Sequence, residues 1–179
     1  LTQLTVQGDR HGGSAVDYTL NSRIGMPYLT GPKDYQGVVN HVLPAWDLVT
    51  GQTAAVGLLA AERHRYRSGL ANGVFQGQHI KLPLEDVALA VMSNLGFIGE
   101  AERGGERSRM GNDLFGAFGR DFVTADGRQV MVVGLTLKQW KNLVLACGLE
   151  SEMDALSVRL GRNFKLEGDR YKSREEIAK

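Results

Sequence analysis

A chain of 179 residues with 42% hydrophobic side chains is long enough for one ordinary domain or two small ones, and it has enough apolar material for a real core. Its 21 basic and 20 acidic groups are interspersed, giving a formal net charge of +1, so no basic stripe points to nucleic acid or to a membrane surface. Cys147 is the only cysteine, which excludes an internal disulfide and a cysteine metal cluster and fits a reducing cytoplasm.

Leu1 to Val6 alternates apolar and polar residues and predicts a strand. Val16 to Asn21 predicts a short helix ending near Gly25. Gly31-Pro32 marks a loop. From Pro44 through Tyr66 the pattern is strongly helical, with Gly69 as the expected stop. Within it Val56 to Ala61 is apolar nearly all round, which predicts burial. Gln78 to Leu82 alternates as a strand, Pro83 suits a first helical position, and Leu84 to Phe97 predicts a second apolar helix. Gly99 to Gly111, rich in Gly, Glu and Arg, reads as a linker or mobile loop. Phe122 to Val133 around Asp126-Gly127 is a hairpin pattern. Thr136 with Gln139 is a capping box for a helix that stops at Gly148, and Ser151 to Leu160 is a further helix. Ser173 with Glu176 has the same capping pattern close to the last residue. The coarse pattern is β–α–β–α up to residue 97, compatible with part of an open α/β sheet, then a separate hairpin-and-helices unit from 111.

No apolar run has the length of a membrane span, and none has the make-up of a signal peptide. A strand starting directly at Leu1 and a helix starting at Ser173 lead to the expectation that the chain is a piece of a longer protein.

Asp47 is the leading candidate for chemistry. It falls in Pro44-Ala45-Trp46-Asp47-Leu48-Val49-Thr50-Gly51, where the long helix opens. First-turn backbone N–H groups lack intrahelical partners, and the helix dipole is positive there. Both favour a carboxylate in ionised form, and such a group beside apolar surface is a competent nucleophile toward an activated acyl carbon. Position alone favours an ordinary helix-start acid.

An ordered set of motifs decides between the two. Asp17, Asn21 and Gly25, then Asp47-Leu48-Val49-Thr50-Gly51, then Gly77-Gln78 and Leu84-Glu85-Asp86, then Gly111-Asn112, Phe122 to Gly127 and Gln139-Trp140 follow one another along the chain. Together these segments resemble the class III CoA-transferases. The resemblance implies an α/β fold: residues 1–97 as the second part of a Rossmann-like large domain, 98–110 as a linker, and 111–179 as the start of a small α+β domain. It implies that Asp47 is the acyl-accepting nucleophile, acting on a coenzyme A thioester and a small carboxylic acid with no tightly bound cofactor and no metal. An interlocked homodimer and a cytoplasmic location are implied as well. Val39 to Asp47 and Met110 to Gly119 resemble one branch, which moves CoA between the two carboxyls of one diacid.

The candidate substrate- or CoA-binding positions are Tyr18, Asn21, His41, Arg109, Gly111 and Asn112, where Tyr18 and Asn21 suit the pantetheine channel and core packing suits them equally. His41 is read either as a structural histidine before the helix or as a group that orients Asp47 or a substrate carboxylate. Arg107 and Arg109 suit an acidic substrate or the CoA phosphates, and a solvated loop suits them equally. His64 is expected at the surface, and Trp46 and Trp140 in packing roles. His11 and His79 lack acidic partners at ligand spacing. Two departures matter. The related racemases carry a proton-transferring His where this chain has Val16, expected to be buried, which disfavours racemisation. Phe75 stands at a family glycine and is expected only to reshape a turn. The family's N-terminal nucleotide-binding segment and its C-terminal return have no counterpart here, so these 179 residues alone are expected to be inactive. The rival readings are an intermolecular CoA-transferase with separate donor and acceptor, and a truncated non-catalytic binding or assembly module.

Overall fold

The computed structural model describes all residues, Leu1–Lys179. It has two compact units: Leu1–Thr30 with Tyr35–Arg109, and Gly31–Asp34 with Met110–Lys179. No helix is long and apolar enough to cross a membrane.

In the first unit β1 (Gln3–Gln7) pairs in parallel with β2 (His79–Pro83), Gln3 opposite His79 and Gln7 opposite Pro83. Parallel pairing needs a long crossover. It is made by α1 (Asp17–Arg23), α2 (Met26–Leu29) and α3 (Ala45–Asn72). α4 (Leu84–Asn94) and α5 (Phe97–Glu102) follow β2. Leu20, Trp46, Leu84, Ala88 and Met92 form the core, with Ile24, Met26, Val91 and Phe97 packed on it. The start of α3 is therefore fixed by the same core that joins α1 to α4.

Several expectations for this unit need correction. Gly69 does not stop α3, which runs to Asn72 and ends at Gly73 with φ +71°. Gly69 instead provides a seat for the Phe75 ring, which an added Cβ would overlap. Phe75 thus packs back on the helix it follows, with the Arg65 guanidinium 5.4 Å from its ring centroid. The apolar stretch Val56 to Ala61 is largely exposed: only Ala61 is buried, while Val56 is 65% and Leu59 72% exposed. The elements packed on α3 are α1, α4 and β2, and these cover one side of it. Pro83 is the last residue of β2 and the N-cap of α4, in extended geometry at ψ 134°, rather than the first helical residue. The helix from Leu84 breaks at Gly96 (φ +83°), and α5 begins at Phe97 and runs to Glu102, into the segment 98–110 read as a linker. Residues 98–109 belong to this unit: Arg107 pairs with Glu100 and lies 4.0 Å from the Phe97 ring centroid.

In the second unit β3 (Phe118–Val123) and β4 (Gln129–Gly134) are antiparallel, followed by α6 (Leu137–Cys147), α7 (Glu150–Leu160), α8 (Glu167–Lys172) and α9 (Arg174–Ile177). The hairpin forms, but its connection is longer than a two-residue Asp-Gly turn. Thr124 N–H bonds Arg128 C=O, Gly127 N–H bonds Thr124 C=O, and Gly127 has φ +80°. That is a three-residue loop closed by a left-handed glycine. The Thr136–Gln139 capping box is present in both halves. The pattern at Ser173 is not: Ser173 has φ −101° and ψ 9°, is buried, and makes no side-chain cap. The expected helix does start there, since Ser173 is both the C-cap of α8 and the N-cap of α9, but a residue with near-helical ψ cannot present its hydroxyl to the next helix as an extended N-cap does.

Phe118, Trp140, Leu156 and Phe164 form the second core, with Trp140 edge-on to both phenylalanines. Arg170 is fully buried. It donates to Phe164 C=O and Leu135 C=O, each at 2.7 Å, and burial pushes its guanidinium below its ordinary pKa. An ionic cluster lies at one edge of the unit. Buried Asp113 pairs with Lys33 at 2.5 Å and Arg174 at 3.0 Å, and Glu175 accepts from Lys33 at 2.6 Å and Arg120 at 2.9 Å. Hydrogen bonds from Lys33 and Arg120 hold Glu175 down from 4.5 to about 2. A depressed carboxyl pKa contributes stability above its unfolded value and loses it as pH falls. We therefore expect Glu175→Gln to flatten the acid dependence of unfolding between pH 4.5 and about 2 while leaving it unchanged above pH 6. Urea midpoints across that range provide the check.

Candidate active site

α1 and the start of α3 are joined by one polar network. Asp17 is the first residue of α1, which Thr19 helps to begin by accepting Val16 N–H through its hydroxyl at 3.1 Å. Asp17 and Asn21 are four residues apart and so share a helix face. Both are buried, at 2% and 1% exposure. Burying such groups is costly unless their polar atoms are bonded. Here they are. Asp17 Oδ2 accepts Trp46 N–H at 2.7 Å, and its Oδ1 accepts His41 Nε2–H at 2.5 Å. Asn21 Oδ1 accepts the Trp46 indole N–H at 2.9 Å, and Asn21 Nδ2–H donates to Asn40 Oδ1 at 2.6 Å. Tyr18 O–H donates to Val42 C=O at 3.2 Å, and its ring stands edge-on to His41 with centroids 5.9 Å apart.

Asp47 is the third residue of α3 and is exposed. Its carboxylate has no hydrogen bond or ion pair within the chain. Of the N–H groups expected to face it, two are already used: Ala45 donates to Leu43 C=O at 2.7 Å, and Trp46 to Asp17. Leu48 N–H bonds Pro44 C=O at 3.1 Å. Asp47's own N–H is thus the one first-turn donor left open. Thr50, one turn on, is buried with its hydroxyl unbonded.

The expected binding positions divide. Tyr18, Asn21 and His41 gather at the start of α3, but they bind the chain itself: Asn21 is buried in the network and His41 is occupied at Nε2 by Asp17. Arg109 is engaged by the chain itself. Its guanidinium donates to the carbonyls of Tyr28 (3.1 Å), Pro27 (3.2 Å), Gly37 (2.7 Å) and Tyr35. It fastens the residues on both sides of the Gly31–Asp34 excursion. Gly111, with φ +62°, and exposed Asn112 lie in the second unit. Val16 is 60% exposed rather than buried, since the side chain precedes the first turn of α1 and points away from its packed face. Asn40 and the double anchoring of Trp46 were not expected from sequence. An Asn-His pair shortly before a helix start was the available signal.

The chain matches CoA-transferase family III over residues 3–179, and it belongs to that family. It is similar to the 2-methylfumaryl-CoA isomerase of Chloroflexus aurantiacus, with 54% identity over 99% of this chain and 42% of that protein. The chain therefore spans less than half the length of that relative. Among solved structures it is similar in fold to a CAIB/BAIF family protein of Brucella suis, with 20% identity, TM-score 0.64, 99% of this chain and 44% of the other. It is similar also to an Asp-to-Ala mutant of a Mycobacterium tuberculosis protein, with 18% identity, TM-score 0.68, 99% of this chain and 43% of the other. These two likenesses establish a mixed α/β fold.

Proposed function

We propose that this chain is the nucleophile-bearing segment of a CoA-transferase that moves CoA between the C1 and C4 carboxyls of 2-methylfumaryl-CoA (mesaconyl-CoA). The observation that carries the reading is Asp47. It is an exposed, unpaired carboxylate in the first turn of a helix whose start is locked by buried bonds, within Asp-x-x-Thr-Gly. The 54% identity to an isomerase of that substrate supports the choice of diacid. In this reading β1 and β2 belong to a larger Rossmann-like sheet, residues from 111 onward begin a small domain, and the full-length protein is an interlocked homodimer.

Asp47 attacks the thioester carbonyl and forms an acyl–aspartyl anhydride as CoA leaves as thiolate. The thiolate attacks the Asp47 carbonyl, giving aspartyl-CoA thioester and free diacid. The other carboxylate of the diacid attacks that thioester and expels the thiolate. The thiolate then attacks the new acyl carbonyl, forming the C4 thioester and restoring the Asp47 carboxylate. Atoms and charge balance with no external reductant or base. The open Asp47 N–H is available to a developing oxyanion beside it. The test supplies the full-length protein with the C1 thioester and deuterated free mesaconate. Unlabelled C4 thioester is expected. Deuterium in the thioester product identifies an intermolecular transferase, and no transfer at all favours the non-catalytic module.

Racemisation of α-methyl acyl-CoA is expected to be absent, because Val16 cannot carry a proton whether exposed or buried. Solvent deuterium appearing at the α-carbon at a rate comparable with transfer contradicts this. The 179-residue chain alone is expected to bind CoA weakly, since one catalytic group without a positioned substrate has little to act on. Calorimetric titration giving a dissociation constant in the low micromolar range, about −8 kcal/mol, contradicts that expectation.

A further inference from the structure

α3 begins without a cap of its own. Its N-cap residue is Pro44, which offers no side-chain acceptor to the first turn. The acceptor comes from another helix: Asp17 Oδ2, 2.7 Å from the N–H of Trp46, the second residue of α3. The carboxylate also faces the positive end of the α3 dipole. Its second oxygen is bonded by His41, so the buried group is satisfied on both sides. Trp46 is held a second time through its indole N–H by Asn21. One residue is thus gripped at backbone and ring, and the next residue is Asp47.

Asp47 itself makes no side-chain bond, so backbone alone determines where its oxygens lie. Helix ends fray, and a nucleophile on an uncapped first turn moves with the fraying. Misplacement by about 1 Å can cost about 100-fold in rate. We propose that Asp17 is a positioning residue for acyl transfer: it caps α3 in trans through Trp46 N–H and thereby fixes Asp47, without touching substrate. This deepens the proposed role of Asp47 and rests on it.

The test uses the full-length protein. Asp17→Leu is close in size, suits a buried site and removes the acceptor. Asp17→Asn keeps an oxygen for Trp46 N–H. Asp17→Leu is expected to lower kcat about 100-fold with KM for the acyl-CoA within about twofold. Asp17→Asn is expected to stay within about fivefold in kcat, because the acceptor and not the charge is what α3 needs. In the Asp17→Leu background, Pro44→Asp supplies a cap in cis and is expected to recover kcat at least about tenfold. Circular dichroism establishes that each variant is folded. If Asp17→Leu does not fold, Asp17→Asn alone decides the matter, since a folded Asn variant with kcat reduced about 100-fold overturns the proposal. It is overturned equally by a folded Asp17→Leu enzyme with normal kcat, by a loss confined to KM, or by no recovery with Pro44→Asp. Asp47→Ala is assayed in parallel. An active Asp47→Ala enzyme removes the nucleophile reading. An inactive one beside a fully active Asp17→Leu enzyme removes only the positioning role.

Discussion

Asp47→Ala is expected to lower CoA transfer by the full-length protein by about four to six orders of magnitude, the range seen when a covalent nucleophile is deleted. The proposed route runs through three covalent intermediates on that carboxylate, two anhydrides and a thioester, and no other acid shares its position at the start of α3. Substrate binding is expected to change little, since the alanine removes no contact made to the rest of the acyl-CoA. Asp47→Glu is expected to keep little activity, because one added methylene displaces the attacking oxygen by more than a near-attack geometry tolerates. Rapid-quench measurement of C4 thioester formation reads both variants. Activity of Asp47→Ala within tenfold of the parent sinks the assignment.

Trp46→Ala is expected to have the largest effect on stability. Trp46 is 5% exposed and sits in the core with Leu20, Leu84, Ala88 and Met92. Removing a buried tryptophan costs about 3–5 kcal/mol through lost burial and the cavity left behind. Leaving buried Asn21 Oδ1 without its donor costs about 1–3 kcal/mol more. Against a usual total of about 5–15 kcal/mol, that loss unfolds much of the first unit. Trp46→Phe keeps most of the packing and should cost only the hydrogen-bond part, about 1–3 kcal/mol. Urea denaturation distinguishes them. A loss below about 1 kcal/mol for Trp46→Ala contradicts the account of how α3 is seated.

The elements that local pattern dictates were legible in the sequence. Alternation marked β1 and β2, the Thr136–Gln139 box marked α6, and the long apolar periodicity marked α3. What local pattern cannot carry is which neighbour takes up a side chain. Gly69 looks like a stop until Phe75 folds back onto it. The stretch Val56 to Ala61 looks like core because it is apolar, yet only one side of α3 has a neighbour in this chain. Arg109 suits an anion or a solvated loop equally in the sequence, and its four backbone carbonyl partners lie 72 to 82 residues away. For the site, sequence placed Asp47 in a first turn and Asn21 and His41 among the candidates. It did not reveal that Asp17 supplies the missing cap, because that bond joins residues 29 apart and depends on how α1 packs against α3.

The central claim is that Asp47 becomes covalently acylated. Hydroxylamine added to the full-length protein during turnover of 2-methylfumaryl-CoA intercepts an aspartyl thioester or anhydride and leaves a hydroxamate on the residue that carried it. Peptide mass spectrometry is expected to find that modification at Asp47, dependent on substrate and absent from every other acidic residue. An enzyme that keeps turning over in hydroxylamine with Asp47 unmodified, or that carries the hydroxamate on a different acid, contradicts the account.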